Sequence, residues 1–320
     1  MTTAPIPPQP HFPSRYSRPS LAPSVARCFK RQDGAQVACF VYGELGCAGG
    51  AGGDSELGCA GGAGGDSGLG CAGGAGGDAE LEPVVFIHGN GEEHGIFGPM
   101  IDAVVTDGRA AIGIDSRGQG RSSRGTDRLT YELLADDALA CLDELGVGRF
   151  HLVGFSDGAI EALILARDHT DRVASLLSMG ANLTPEGVAE DDDWDIHGAI
   201  SSNKAWSEWA SGLPADGAVD PALLMPTATE AAWTADLLQL MLDEPHIPAE
   251  SLQAIECPTT IMAGEFDVII PSETYQIARA IKAGGVDVRL VIVPGAGHSL
   301  PKQVPDVVTR VMRATISRSM

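Results

Sequence analysis

From about position 81 to the C-terminus the chain repeats one pattern: a short continuous apolar run, a glycine-bearing turn, then an amphipathic stretch of helical length. The apolar runs lie in "LEPVVFIHGNG", "RAAIGIDSRG", "RFHLVGFSDG", "RVASLLSMGAN", "CPTTIMAGEFD" and "VRLVIVPGAGH", and the helical stretches include "TYELLADDALACLDELG", "AIEALILARDHT" and "SETYQIARAIKAGG". Strands that are apolar at every position are buried on both faces. Alternating them with amphipathic helices therefore demands a mostly parallel sheet covered by helices on both sides, an α/β class fold. The alternation stops near residue 183 and resumes near 251. Residues 184–250 read as helical, carry the acidic run "EDDDWD" and hold all four tryptophans, the signature of an inserted helical cap. The expected core is 24–183 together with 251–320.

With 320 residues and 44% hydrophobic composition the chain buries a large core. Its formal charge of -22 repels polyanions, so no nucleic-acid partner is expected. An uninterrupted apolar run of membrane-spanning length, about 18 residues, is missing, as is the apolar segment of a secretion signal. The expectation is a cytoplasmic protein without a membrane span. Seven cysteines, an odd number, favour reduced thiols in that compartment.

Residues 1–23 carry seven prolines and little apolar periodicity, which predicts a disordered lead-in. "SVARCFKRQ" and "AQVACFVYGE" flank Asp33-Gly34 and read as an antiparallel hairpin. A two-residue turn there would set Cys28 opposite Cys39, as buried thiols more readily than as a disulfide. Next, residues 44–79 hold three copies of a twelve-residue glycine-rich unit with Cys47, Cys59 and Cys71. The "GLGCAG" in the last copy has no strand before it and no helix after it, so it fails as a dinucleotide fingerprint. Lone cysteines at this spacing make poor zinc ligands, and the period does not match a calcium-binding roll. The repeat reads as an expanded flexible loop. Lengthening a loop is cheap, since each doubling adds only about 0.6 kcal/mol of closure entropy.

The chemistry concentrates in "GFSDG". A strand, Phe150 to Phe155, turns there directly into a helix, and Gly154 and Gly158 leave room for the strained turn that exposes the Ser156 hydroxyl. A serine needs a base, and the base needs a carboxylate to orient it. His298 follows the strand in "RLVIVPGAGH" and Asp267 follows the strand in "TTIMAGEFD", both at ends where open parallel sheets hold their ligands. Glu265 is a competing acid. Backbone N–H groups of Asp157 and of Asn90, in "HGNG", would bind the oxyanion.

These segments, with "FIHGNGEEHGIF", "IDSRGQGRSSRGT" and "MGANLTPEGV", resemble the α/β-hydrolase superfamily, and within it the bacterial serine-nucleophile branch with Ser-Asp-Gly at the elbow. The resemblance spans about residues 26–43 and 81–318. It implies an eight-stranded, mostly parallel sheet with a helical cap, with Ser156 as nucleophile, His298 as base and Asp267 as acid. Relatives that use aspartate as nucleophile, the dehalogenases and epoxide hydrolases, are disfavoured by the serine. The superfamily topology also sends the 44–79 connection to the sheet end opposite the site.

Several residues have plainer readings. His88 reads as a brace for the oxyanion loop. Asp157 fits a helix N-terminus through the dipole alone, or it attracts an ammonium on the substrate. Trp194, Trp206, Trp209 and Trp233 pack helices or roof an acyl group, and Glu190 to Asp193 form a solvated run rather than a metal cage. The expected activity is hydrolysis of a small-molecule carboxylic ester through an acyl-enzyme on Ser156, with no cofactor and no metal. Alternatives are an amide, amino-acid ester or C–C bond as the target, or a silent ligand-binding protein.

Overall fold

The computed structural model describes residues 16–45, 81–189, 195–212 and 226–319. The repeat from position 46 on, the first fifteen residues, Trp194 and the run Glu190 to Asp193 lie outside them.

Eight strands form one sheet: β1 (Val25–Lys30), β2 (Gln36–Tyr42), β3 (Val84–Ile87), β4 (Ala111–Asp115), β5 (Phe150–Phe155), β6 (Val173–Met179), β7 (Thr259–Phe266) and β8 (Val288–Gly297). Their spatial order is β1-β2-β4-β3-β5-β6-β7-β8, antiparallel only where β1 meets β2 and β2 meets β4. The eight-stranded, mostly parallel sheet expected from the sequence is therefore present.

Strand periodicity sorts the core into two layers. In β3, Val85 and Ile87 join Ile112, Ile114 and Leu152 on one face, where they meet α2 (Tyr131–Glu144), α3 (Asp157–Asp168) and α6 (Pro271–Ala283). On the other face Val84 and Phe86, with Val153 and Phe155, meet α1 (Gly98–Thr106) and α7 (Pro305–Ile316). Each large apolar side chain buried this way contributes about 1.5–3 kcal/mol. Local chemistry sets the helix starts: the Thr130 hydroxyl accepts the Leu133 N–H at 3.1 Å, and Pro271 and Pro305 occupy first-turn positions.

The hairpin corrects the sequence reading. The connection is a three-residue loop: the Arg31 N–H bonds the Ala35 carbonyl at 2.8 Å, the Gly34 N–H bonds the Arg31 carbonyl at 3.1 Å, and Gly34 takes φ 87°. One extra loop residue shifts the register, so Cys28 faces Ala38 and Cys39 faces Arg27. Cys39 and Cys28 then lie on opposite faces of the sheet. Cys39, Cys141 and Cys257 are buried free thiols, whereas Cys28 is disulfide-bonded, against the expectation of reduced thiols throughout.

The lead-in expected to be disordered through residue 23 is ordered from Tyr16. The Tyr16 hydroxyl bonds Glu93, Arg18 pairs with Glu93 at 2.6 Å, and the Ser20 N–H reaches the Asp102 carboxylate at 3.0 Å. These contacts tie the segment to α1 and the turn before it.

Tyr42 at the end of β2 and Val84 at the start of β3 are both level with Ala111, the first residue of β4. The 44–79 connection therefore leaves and rejoins the sheet at the N-terminal ends of the parallel strands, opposite Ser156. Between β6 and β7, helices α4 (Ile196–Ser211) and α5 (Ala228–Asp243) pack on each other, and α5 opens on a capping box between Thr227 and Glu230. Among the described residues no helix is long and apolar enough to cross a membrane.

Candidate active site

Ser156 sits between β5 and α3 with φ 54° and ψ −120°, the one non-glycine among the described residues in the left-handed half of the map. The surrounding packing holds this strain. Its N–H bonds the Met179 carbonyl at 2.8 Å, its carbonyl accepts from Ala159 at 2.8 Å, and the Gly158 N–H bonds His88 O at 3.0 Å. A Cβ on Gly158 would come within 2.2 Å of the Ile87 carbonyl, and one on Gly154 within 2.2 Å of Gly158 O. The two glycines of the motif are thus places where backbone passes backbone.

The three residues predicted for the triad come together. His298 Nδ1 lies 2.7 Å from Asp267 Oδ1, and His298 Nε2 lies 2.9 Å from Ser156 Oγ. A carboxylate only accepts, so Nδ1 carries the proton and Nε2 is free to take one from the serine. Burial alone would raise the Asp267 carboxyl, but His298 and the Ile269 and Gly264 N–H groups outweigh it and hold the group below the usual carboxylate range. Glu265 is excluded from this role: its side chain is exposed and accepts the Gly295 N–H at 2.9 Å. The Phe155 ring packs against the His298 ring at 5.0 Å between centroids.

The Asp157 and Asn90 N–H groups find no acceptor among the described residues. Their side chains, however, are tied to each other: Asn90 Nδ2 donates to Asp157 Oδ2 at 2.9 Å and to the Leu237 carbonyl of α5 at 3.0 Å, and the Tyr131 hydroxyl donates to Asp157 Oδ1 at 3.0 Å. Burial raises the Asp157 carboxyl while these two donors oppose the rise. With both oxygens occupied and the residue only 3% exposed, Asp157 offers no surface to a substrate ammonium. One turn along α3, Glu161 is fully buried, accepts from Ser116 Oγ at 3.1 Å, and is pushed well up by burial and by the Asp157 charge.

His88 is a brace, as expected. The Ser116 N–H donates to its Nε2 at 3.1 Å, so its Nδ1 carries the proton and donates to Gly89 O at 2.8 Å. Gln119 Oε1 accepts the Gly91 N–H at 2.6 Å, a second anchor on the same loop. Trp206 packs between helices, its indole N–H donating to Pro226 O at 2.9 Å with Trp209 at 5.0 Å, which favours helix packing over an acyl roof for this residue. The single cluster of possible metal ligands among the described residues is Glu93, His94 and Asp115. His94 Nδ1 is already bonded to Asp115 there, and Glu93 to Arg18 and Tyr16.

Residues 82–223 match the model of the family described as the alpha/beta hydrolase fold. The chain has the α/β-hydrolase fold. The RutD protein of Variovorax paradoxus, named for carbamate hydrolysis, is 29% identical over 69% of this chain and 86% of its own length. The serine hydrolase BPHL of Mus musculus is 27% identical over 68% of the chain and 72% of its own. Among solved structures, a thermophilic esterase from Thermogutta terrifontis superposes with a TM-score of 0.60 at 20% identity, covering 92% of this chain and 98% of that one. These relatives are hydrolases by name, and this chain is an enzyme of that broad class.

Tyr131, Gln119, Glu161 and the Leu237 carbonyl were not singled out from the sequence. Tyr131 and Leu237 lie 26 residues from Asp157 and 147 residues from Asn90 respectively. No local pattern marks such partners.

Proposed function

We propose that this α/β-hydrolase cleaves a carboxylic ester of a small molecule through an acyl-enzyme on Ser156. The observation that carries the reading is the unbroken chain Ser156–His298–Asp267, 2.9 and 2.7 Å, on a serine held in a strained turn. His298 Nε2 takes the hydroxyl proton as Oγ attacks the carbonyl carbon. The carbonyl oxygen gains charge and is met by the Asp157 and Asn90 N–H groups, each typically worth about 10²–10³-fold in rate. His298 then returns the proton to the leaving alkoxide. Water repeats the cycle on the acyl-enzyme, releasing the acid and restoring Ser156. Asp267 stays ionised and holds the imidazole in its tautomer. The reaction needs a substrate with an acyl group, and residues 184–250 serve as the cap over it.

Carbamate or amide cleavage is the second reading, favoured by the name of the Variovorax relative. The same atoms serve it, with an amine leaving from an amide and an aryloxide leaving from an aryl carbamate to give a carbamoyl-enzyme that water hydrolyses. The test is a panel of p-nitrophenyl esters, aryl carbamates and anilides, run with fluorophosphonate labelling. Ester turnover and Ser156 modification, both lost in Ser156→Ala, are the expected result. Turnover that persists in Ser156→Ala would overturn the reading, and faster carbamate turnover would select the second.

A further inference from the structure

We propose that Tyr131 is a positioning residue for the oxyanion site, acting through Asp157 and Asn90, and that the same chain of hydrogen bonds ties the site to helix α5. The inference rests on the reading of Ser156 as nucleophile and deepens it.

The two residues whose N–H groups face the reacting carbonyl come from different loops, after β3 and after β5. Strands β3 and β5 are paired neighbours and the Gly158 N–H bonds the His88 carbonyl at 3.0 Å, so the backbone brings the two loops together. The side chains add a second tie: the Asn90 carboxamide bonds one Asp157 oxygen at 2.9 Å, and the Tyr131 hydroxyl bonds the other at 3.0 Å. Tyr131 is itself fixed, buried in the first turn of α2 behind the Thr130 cap. The second Asn90 N–H reaches the Leu237 carbonyl at 3.0 Å, which places the backbone of α5 on the same chain. A backbone carbonyl has two lone pairs, so Leu237 accepts this bond besides its helical one.

This accounts for an aspartate after the nucleophile. Only a carboxylate presents two acceptor oxygens to two donors arriving from opposite sides, and a buried carboxylate with both oxygens filled is a rigid peg. Removing one donor leaves Asp157 held from one side, and the fine alignment of the 157 and 90 N–H groups loses its side-chain tie while the backbone bond between the loops remains.

Fluorophosphonate labelling reads this directly, since the phosphonyl oxygen occupies the oxyanion site whatever the natural substrate. The second-order labelling rate is measured for wild type, Tyr131→Phe and Asn90→Ala, with Tm as the folding control. The His298 Nδ1 proton resonance serves as the control for the triad. Tyr131→Phe is expected to label about tenfold more slowly, the loss of one hydrogen bond to a charged group. The His298 resonance should be kept and, on an ester, kcat should fall with KM unchanged. Asn90→Ala, which keeps the backbone N–H but breaks both remaining links, should label at least as slowly and decides the matter if Tyr131→Phe does not fold. Wild-type labelling rates in folded variants would overturn the inference while leaving the triad reading intact. Absence of Ser156 labelling in the wild type would overturn both.

Discussion

Among the described residues, two hydroxyl–imidazole–carboxylate arrays have nearly the same spacing. In one, Ser156, His298 and Asp267 are linked at 2.9 and 2.7 Å; in the other, Tyr42, His94 and Asp115 are linked at 2.9 and 2.7 Å. The surroundings differ. Tyr42 lies in regular strand β2, only 4% exposed, and burial followed by the Asp115 and Glu93 charges pushes its hydroxyl up to about 12. Asp115 also accepts the His94 and Arg121 N–H groups at 2.9 Å, and Phe40 stacks on His94 at 4.0 Å. The imidazole there is clamped on every side. Ser156, by contrast, is raised on a strained turn beside two N–H groups that find no acceptor among the described residues. A proton-relay geometry alone therefore does not single out the proposed site. What separates the arrays is exposure and, on the proposed reading, a place for the developing negative charge.

The largest effect should fall on rate at one array only. Ser156→Ala should cut ester turnover by about 10⁴–10⁶-fold, while Tyr42→Phe should leave kcat within about threefold, since no substrate reaches it. A comparable loss in Tyr42→Phe would erase the distinction.

The next effect reverses the ranking and concerns stability. His94→Ala strips a fully buried carboxylate of its partner and should cost about 3–5 kcal/mol in urea unfolding, whereas His298→Ala, at a more exposed side chain whose partner Asp267 keeps the Ile269 and Gly264 N–H groups, should cost less.

A smaller effect appears with pH. Burial would raise Asp115, but the His94 contacts prevail and hold it below its ordinary 3.8. A depressed carboxyl contributes stability that is present above the unfolded pKa and is lost as pH falls from 3.8 through the lower folded value. Asp115→Asn should thus be less stable at pH 7 yet lose less on acidification, as measured by Tm between pH 7 and pH 3.

Glu161 gives the opposite sign and the smallest shift. Its carboxyl is raised well above 4.5, so the folded protein keeps a proton that the unfolded chain releases, and stability declines as pH rises above 4.5 toward the folded value. Glu161→Gln, a neutral isostere, should gain a few degrees of Tm relative to wild type at pH 9 and little at pH 4. An identical gain at both would show that Glu161 does not titrate differently on folding.

Much of the proposed array was legible in advance because its parts sit on local landmarks. Ser156, Asp267 and His298 each follow a continuous apolar run, and parallel strands deliver the ends of such runs to one edge. The hairpin register was not legible, because "DG" suits both a two-residue turn and the observed three-residue loop, and one residue exchanges the faces of Cys28 and Cys39. Order at Tyr16 to Pro23 was hidden as well. Proline-rich composition reports poor helix and strand propensity, while the Tyr16 and Arg18 contacts to Glu93 span more than seventy positions.

By itself the sequence determined the α/β class, the parallel sheet and the strand-to-helix turn at Ser156, because strand and helix periods and glycine's missing Cβ are local properties. Tertiary structure alone decided that Asp267 and not Glu265 faces His298. It also decided that Asp157 is a tied peg rather than a docking charge, and that of two histidine–aspartate pairs only one meets an accessible hydroxyl. Those outcomes depend on contacts between side chains tens to more than a hundred residues apart, and packing brings such residues together without leaving a pattern along the chain.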